Sequence, residues 1–190
     1  MAGTKCESLT LVVGGEALLV ERAVDSVVQR ARKVDPQTER RDLDATEQGI
    51  VGRIDEACSP TLFGGGAVVV IDNVESADES VVAAIVAAAA QASDEVAIVA
   101  LHAGGARGKK LLDKLSQAAG NRVDCVEIRK GRGISDFVSA EVKAAKRSMS
   151  PQAQSILIAA VGSDVRALAS AVSQLANDIE SREIEADDVS

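Results

Sequence analysis

Residues 67–73 read Ala67-Val68-Val69-Val70-Ile71-Asp72-Asn73. The run is apolar without interruption and mostly β-branched, then closes on two turn-forming polar residues. Such a run describes a strand buried on both faces, as in a parallel sheet sandwiched by helices. The neighbouring sequence repeats the pattern. Val96–Leu101 is a second strand of this kind, and Leu9–Val13 is a third. Glu39–Leu43 is a weaker strand and Arg122–Ile128 closes the series.

Helical spacing fills the gaps between these strands. Glu16 to Lys33 places Val20, Ala23, Val24, Val27 and Ala31 on one face, and Pro36 ends that region. Glu47 to Cys58 carries Ile50, Ile54 and Ala57 on one side. Glu79 to Gln91 is an Ala/Val helix, and Lys109 to Ala119 carries Leu111, Leu112 and Leu115. This alternation predicts an α/β unit with a five-stranded parallel sheet and helices on both faces. Ligands of such sheets sit beyond the carboxyl ends of the strands.

The pattern changes after Ile128. Arg129-Lys130-Gly131-Arg132-Gly133 is a basic, glycine-rich hinge, and the residues beyond it read as helical throughout. Ile134–Arg147 is one helix. Ser150-Pro151 starts the next, with Ser as N-cap and Pro in the first helical position. Ser163 or Asp164 caps a third, whose apolar face comprises Val165, Leu168, Ala169, Val172, Leu175, Ala176 and Ile179. The expected organisation is residues 1–130 as the α/β domain and residues 131–190 as a small three-helix domain.

Composition narrows the function. The chain has 190 residues, 46% hydrophobic and 26% charged, with a formal net charge of −8. No apolar run approaches the roughly 18 residues that a membrane span needs, so no membrane partner is expected. Met1 to Glu7 is polar and carries no secretion signal, which predicts a cytoplasmic protein. Phe63 and Phe137 are the only aromatics, too few for base-stacking platforms. Cys6, Cys58 and Cys125 show no paired metal-ligand spacing and His102 is the lone histidine, so no metal site is expected. The acidic tail, Asp178 to Asp188, reads as a frayed, solvated end. Residues 129–147 run against the overall charge. Arg129, Lys130, Arg132, Lys143, Lys146 and Arg147 outnumber Asp136 and Glu141, making this stretch a solvated face or a surface for DNA phosphates.

The phosphate-binding signals are incomplete. A working loop after the first strand needs glycines to expose amides, a Lys for the β/γ phosphates and a hydroxyl for magnesium. Here the strand runs into Val13-Gly14-Gly15-Glu16-Ala17, with no Lys, Ser or Thr, and with a carboxylate where an anion would sit. Gly14 and Gly15 therefore mark a degenerate phosphate loop that is not expected to bind, and no cofactor is predicted. Gly104-Gly105-Ala106-Arg107-Gly108-Lys109-Lys110 is a second candidate, but its first glycine is Ala103 and Lys110 replaces the hydroxyl. Asp72 is followed by Asn73, which cannot serve as a general base. No serine elbow or Ser/His/Asp set is present, so no catalytic residue is assigned.

The loop Ser59-Pro60-Thr61-Leu62-Phe63-Gly64-Gly65-Gly66 is turn-like, yet its middle is two large apolar residues. They either tuck beneath their own sheet or project into a partner's pocket, where burying each contributes about 1.5–3 kcal/mol. This loop, with Leu11 to Leu19, Val69 to Ile71, His102 to Lys109 and Val161 to Leu168, resembles the delta subunits of the bacterial DNA polymerase III clamp loader, of an Ala/Val-rich actinobacterial type.

The resemblance implies an AAA+-type α/β domain with a helical lid, here without the family's third, collar domain. It implies a non-catalytic part of the polymerase III holoenzyme, a nucleotidyltransferase complex. Its expected partners are the sliding beta clamp, the gamma/tau and delta prime subunits, and primer-template DNA. Leu62 and Phe63, with Pro60 and Thr61 beside them, are the implied clamp-binding residues. Arg129, Lys130, Arg132 and Lys143 are candidates for facing DNA. Two other readings remain open at this point: a P-loop-type ATPase using Gly104 to Lys110, and a DNA-binding AAA+ relative using residues 129–147.

Overall fold

In the computed structural model, residues 7–59, 65–179 and 181–189 are described. The chain divides into two compact units, Met1–Val126 and Glu127–Ser190.

The first unit is built on strands β1 (Leu9–Val13), β2 (Glu39–Asp44), β3 (Ala67–Asp72), β4 (Val96–His102) and β5 (Asn121–Asp124). All pairings are parallel and the order across the sheet is β2-β3-β4-β1-β5. Because side chains alternate across a strand, each run of apolar residues feeds two cores. Val12, Val68, Val70, Ala97 and Val99 meet Val24, Val27 and Val28 of helix α1 (Ala17–Val34) on one face. Leu9, Leu11, Val69, Ile71 and Ile98 turn to the other face. There they meet Ile54 of α2 (Ile50–Cys58), Val82 and Ile85 of α3 (Glu79–Gln91), and Leu111 and Leu115 of α4 (Lys109–Ala118). The expected five-stranded parallel sheet with helices on both faces is present.

In the first unit, two boundaries differ by three residues or more from the sequence expectation. α2 begins at Ile50 rather than Glu47, because Gly49 sits in the left-handed region at φ +78° and Asp44 holds Thr46 in the preceding turn. β5 stops at Asp124 rather than Ile128. Its partner β1 ends at Val13, and the Cys125 carbonyl turns to accept the Glu16 N–H at 3.1 Å.

The second unit holds α5 (Arg132–Ala144), α6 (Pro151–Val161) and α7 (Val165–Asp178). Ser150 Oγ accepts the Ala153 N–H at 3.2 Å, with Pro151 in the first helical position as expected. Asp164, not Ser163, caps α7, accepting the Arg166 and Ala167 N–H groups at 2.9 and 3.0 Å. α5 ends at Ala144 instead of Arg147, since Lys146 adopts φ +58° and the Arg147 N–H turns back to the Val142 carbonyl.

The expectation of helix throughout fails in one place. Strands β6 (Ser148–Met149) and β7 (Glu183–Ile184) pair in parallel, followed by a short 3-10 turn at Ala186–Val189. From Ser181 to Val189 the acidic tail is therefore tied down, not frayed. Ile184 is fully buried amid its acidic neighbours, and Arg147 donates to the Ala176 and Ser181 carbonyls at 2.8 and 2.7 Å.

Candidate functional site

The apolar loop joins α2 to the amino end of β3. Pro60, Thr61, Leu62 and Phe63, the implied clamp-binding residues, lie outside the described residues; both stems of the loop are described. On the α2 side, Ser59 Oγ donates to the Asp55 carbonyl at 2.7 Å and the Ser59 N–H to Glu56 at 3.2 Å. These bonds finish the helix. Cys58 beside them is half-buried, and burial pushes its thiol up to about 11, so it is not a poised nucleophile.

On the β3 side, Gly66 is held from several directions. Its N–H donates to Asp35 Oδ2 at 2.9 Å, and its carbonyl accepts the Glu39 N–H at 2.9 Å. A Cβ at this position would lie 2.7 Å from the Glu95 carbonyl oxygen and 3.0 Å from Thr38 Oγ1, so only glycine fits. Asp35 is the residue at which α1 ends, and its other oxygen accepts the Gln37 N–H at 2.9 Å. The Gln37 and Gly66 amides together hold its carboxyl below the usual carboxylate range.

At the opposite, carboxyl edge of the sheet, the β1–α1 turn is closed by the protein itself. The Gly14 N–H donates to the His102 carbonyl at 2.9 Å, and the Glu16 N–H to the Cys125 carbonyl. Gly14 has φ +137°, and a Cβ there would stand 2.0 Å from the Cys125 oxygen. Three residues separate β1 from α1, so the chain turns tightly against β5 instead of arching into a cradle of free amides.

The Gly104–Lys110 loop, which follows β4, is committed in a similar way. The Ala103 N–H donates to Glu75 Oε2 at 3.1 Å and the Gly104 N–H to His102 Nδ1 at 2.9 Å. Gly108 opens α4 at φ +65°, and a Cβ on it would strike Glu75 backbone at 2.7 Å. Arg107, Lys109 and Lys110 are exposed. Asp72 accepts its neighbour's N–H from Asn73 at 2.7 Å, while the Asn73 amide donates to Asp44 Oδ2 at 2.9 Å; both are turn-forming roles. No cluster of metal-ligating side chains occurs among the described residues.

In the basic stretch of the second unit, Arg129 and Lys130 precede α5, and Arg132 and Lys143 stand on it. Arg129, Lys130, Arg132 and Lys143 are exposed. Arg132 and Lys143 are three turns apart on one face of α5, separated by about 16 Å at 1.5 Å per residue. Arg132 lies 3.8 Å from Asp136 on the next turn. Arg147, counted with this group from sequence, is instead a helix-capping residue. Asp35 and Glu75 were not singled out from sequence. Asp35-Pro36 signals a turn, but nothing in the order of residues says that its carboxylate reaches a glycine 31 positions away.

No family model and no curated protein matches the chain. Among the described residues, no helix is long and apolar enough to cross a membrane. Solved structures do match. The Bacillus subtilis DNA clamp loader delta protein superposes with a TM-score of 0.75 at 20% identity, over 96% of this chain and 57% of that one. Thermotoga maritima RuvB, a Holliday junction branch migration motor, gives 0.53 at 13% identity, over 96% of this chain and 59% of its own. Caenorhabditis elegans PCH-2 gives 0.50 at 13% identity, over 98% of this chain and 60% of that protein. The chain thus spans less than two thirds of the length of each. It has the AAA+-type fold: a parallel five-stranded α/β unit followed by a small helical unit.

Proposed function

We propose that this chain is the clamp-gripping portion of a clamp-loader delta subunit. It docks on the ring-shaped sliding beta clamp through Leu62 and Phe63, with Pro60 and Thr61 at their side, and favours the opened ring for loading onto primed DNA. The reading is carried by the fold shared with a DNA clamp loader delta protein over 96% of the chain. A glycine loop with two large apolar residues at its centre suits it, because a leucine–phenylalanine pair is enough to anchor a modest interface.

The committed amides at Gly14, Glu16, Ala103 and Gly104 favour a binding role over nucleotide turnover. Ring opening comes from tighter binding to the open form than to the closed one. Arg129, Lys130, Arg132 and Lys143 face primer-template DNA in this reading. The gamma/tau and delta prime subunits complete the assembly.

The test is binding to a purified bacterial sliding clamp by the wild type and by Leu62→Ala/Phe63→Ala. The double variant is expected to lose at least about 2 kcal/mol, roughly 30-fold in affinity. Equal affinities would remove these two residues from the interface. Titration with Mg-ATP separates this reading from the ATPase one: no heat of binding is expected, and saturable heat would favour the enzyme.

A further inference from the structure

We propose that the groove between α3 and α4 is a docking site for a basic amphipathic helix of a partner protein. The inference stands on the first unit alone and is independent of the clamp-docking role.

α3 departs from the pattern of its neighbours. A helix lying on the surface of a unit turns charged residues to water. α1 does so with Glu21 and Arg22, and α4 with Lys110, Asp113 and Lys114, all of them exposed. α3 carries no charge beyond Glu79, and from Val81 to Ala90 every residue is apolar. Val81, Val82, Ile85, Ala88 and Ala89 are buried against the core. On the other side Ala83, Ala87 and Ala90 are exposed and Val86 is half-buried. A helix that is apolar all round is one that other structure covers all round.

This outer face is one wall of a groove. Val82, Val86, Ala87 and Ala90 of α3, with Lys114 and Ala118 of α4, border about 500 Å³. α3 has 13 residues and runs about 20 Å, so the groove accepts about four turns of a helix presenting apolar residues three and four apart.

Charge selects the kind of helix. Lys114 is already answered, its Nζ lying 3.0 Å from Glu79 Oε2. Asp78 immediately precedes α3, and Glu95 lies four residues past its end. Both are exposed, and among the described residues neither side chain has a hydrogen-bond or ion-pair partner. The apolar face thus lies between two open carboxylates. A second copy packing its own α3 antiparallel on this one would bring Asp78 and Glu79 over Asp94 and Glu95, like charge over like. A helix with a cation near each end meets both carboxylates favourably.

The experiment measures binding of labelled model peptides to the 190-residue chain by fluorescence anisotropy. Each peptide has about 18 residues, long enough to form a helix, with leucines three and four apart. One carries lysines at both ends and the other glutamates. The lysine-ended peptide is expected to bind about fivefold tighter, an advantage that shrinks as salt is raised. Ala87→Glu, on the exposed wall of the groove, is expected to weaken both at least about tenfold, with wild-type circular dichroism. Asp78→Asn/Glu95→Gln keeps the apolar wall and is expected to bind the two peptides alike.

Absence of saturable binding by the lysine-ended peptide overturns the site. Equal affinity of wild type for both peptides overturns it too, as does wild-type binding by Ala87→Glu. If Ala87→Glu loses helix, Asp78→Asn/Glu95→Gln carries the comparison, and a preference for lysine ends that survives in it overturns the proposal. Sedimentation without peptide tests the other occupant. A mass that climbs with concentration toward twice 19.6 kDa, and stays monomeric in Ala87→Glu, would assign the groove to a second copy instead.

Discussion

His102 Nδ1 accepts the Gly104 N–H at 2.9 Å, and the same ring turns Nε2 toward the Gly108 carbonyl at 3.4 Å. The sole histidine, 1% exposed, is thus a staple across the glycine loop that follows β4. With Nδ1 accepting, the ring proton belongs on Nε2.

Removing the staple leaves a cavity and an unpaired amide. His102→Ala is expected to cost about 2–4 kcal/mol of folding stability. His102→Asn, which keeps a short acceptor, loses less. Urea denaturation followed by circular dichroism measures both, and an alanine variant as stable as wild type would refute the staple.

Gly14 and Gly15 are adjacent and open to opposite expectations. Gly14→Ala places a methyl on the Cys125 carbonyl in a backbone conformation that L-residues avoid. It is expected to cost more than about 3 kcal/mol, because the turn must open to admit it. Gly15 has nothing within 4 Å, and Gly15→Ala stays within about 0.5 kcal/mol of wild type. Thermal melting of the two single variants, side by side, tests the pair.

Asp44 gives the first unit a pH dependence of known sign. The Thr46 hydroxyl, then the Thr46 N–H and the Asn73 amide, donate to its carboxylate and hold it below the usual carboxylate range. A folded-state value below the unfolded one adds stability above the unfolded value, near pH 4, and loses it as pH falls through the folded value. The difference in urea midpoint between wild type and Asp44→Asn should hold steady from neutrality to about pH 5 and shrink below about pH 4. A gap that stays constant down to pH 2 would contradict the assignment.

Arg147 contributes to stability through two carbonyls. Arg147→Ala leaves the Ala176 and Ser181 oxygens without this donor and removes a cation from the end of α7, at an expected cost of about 1.5–3 kcal/mol. Arg147→Lys, a point donor without the planar fork, recovers only part. Hydrogen exchange along the last turn of α7 should accelerate in the alanine variant; unchanged protection there would argue against the cap.

The sheet was legible because strands buried on both faces carry unbroken β-branched runs, as β3 and β4 do. Their order was not, since every crossover between parallel strands reads alike in sequence. β6 and β7 escaped notice because two residues hold no periodicity, and a single buried isoleucine is hidden within an acidic tail. At the functional site, the missing Lys and hydroxyl after Gly15 were plain from the residues themselves. The ties that close the turns were not: Asp35 to Gly66 and Glu75 to Ala103 span 31 and 28 positions, a closeness that only folding creates.

The small β6–β7 ladder has a mechanical consequence. It works as a latch, returning the chain to Ser148 after the 34-residue excursion to Arg182 that contains α6 and α7. A protease that clipped the backbone between α7 and Glu183 would leave all three helices whole. It would still release the strap that holds their far ends together, and the bundle would loosen from that side first.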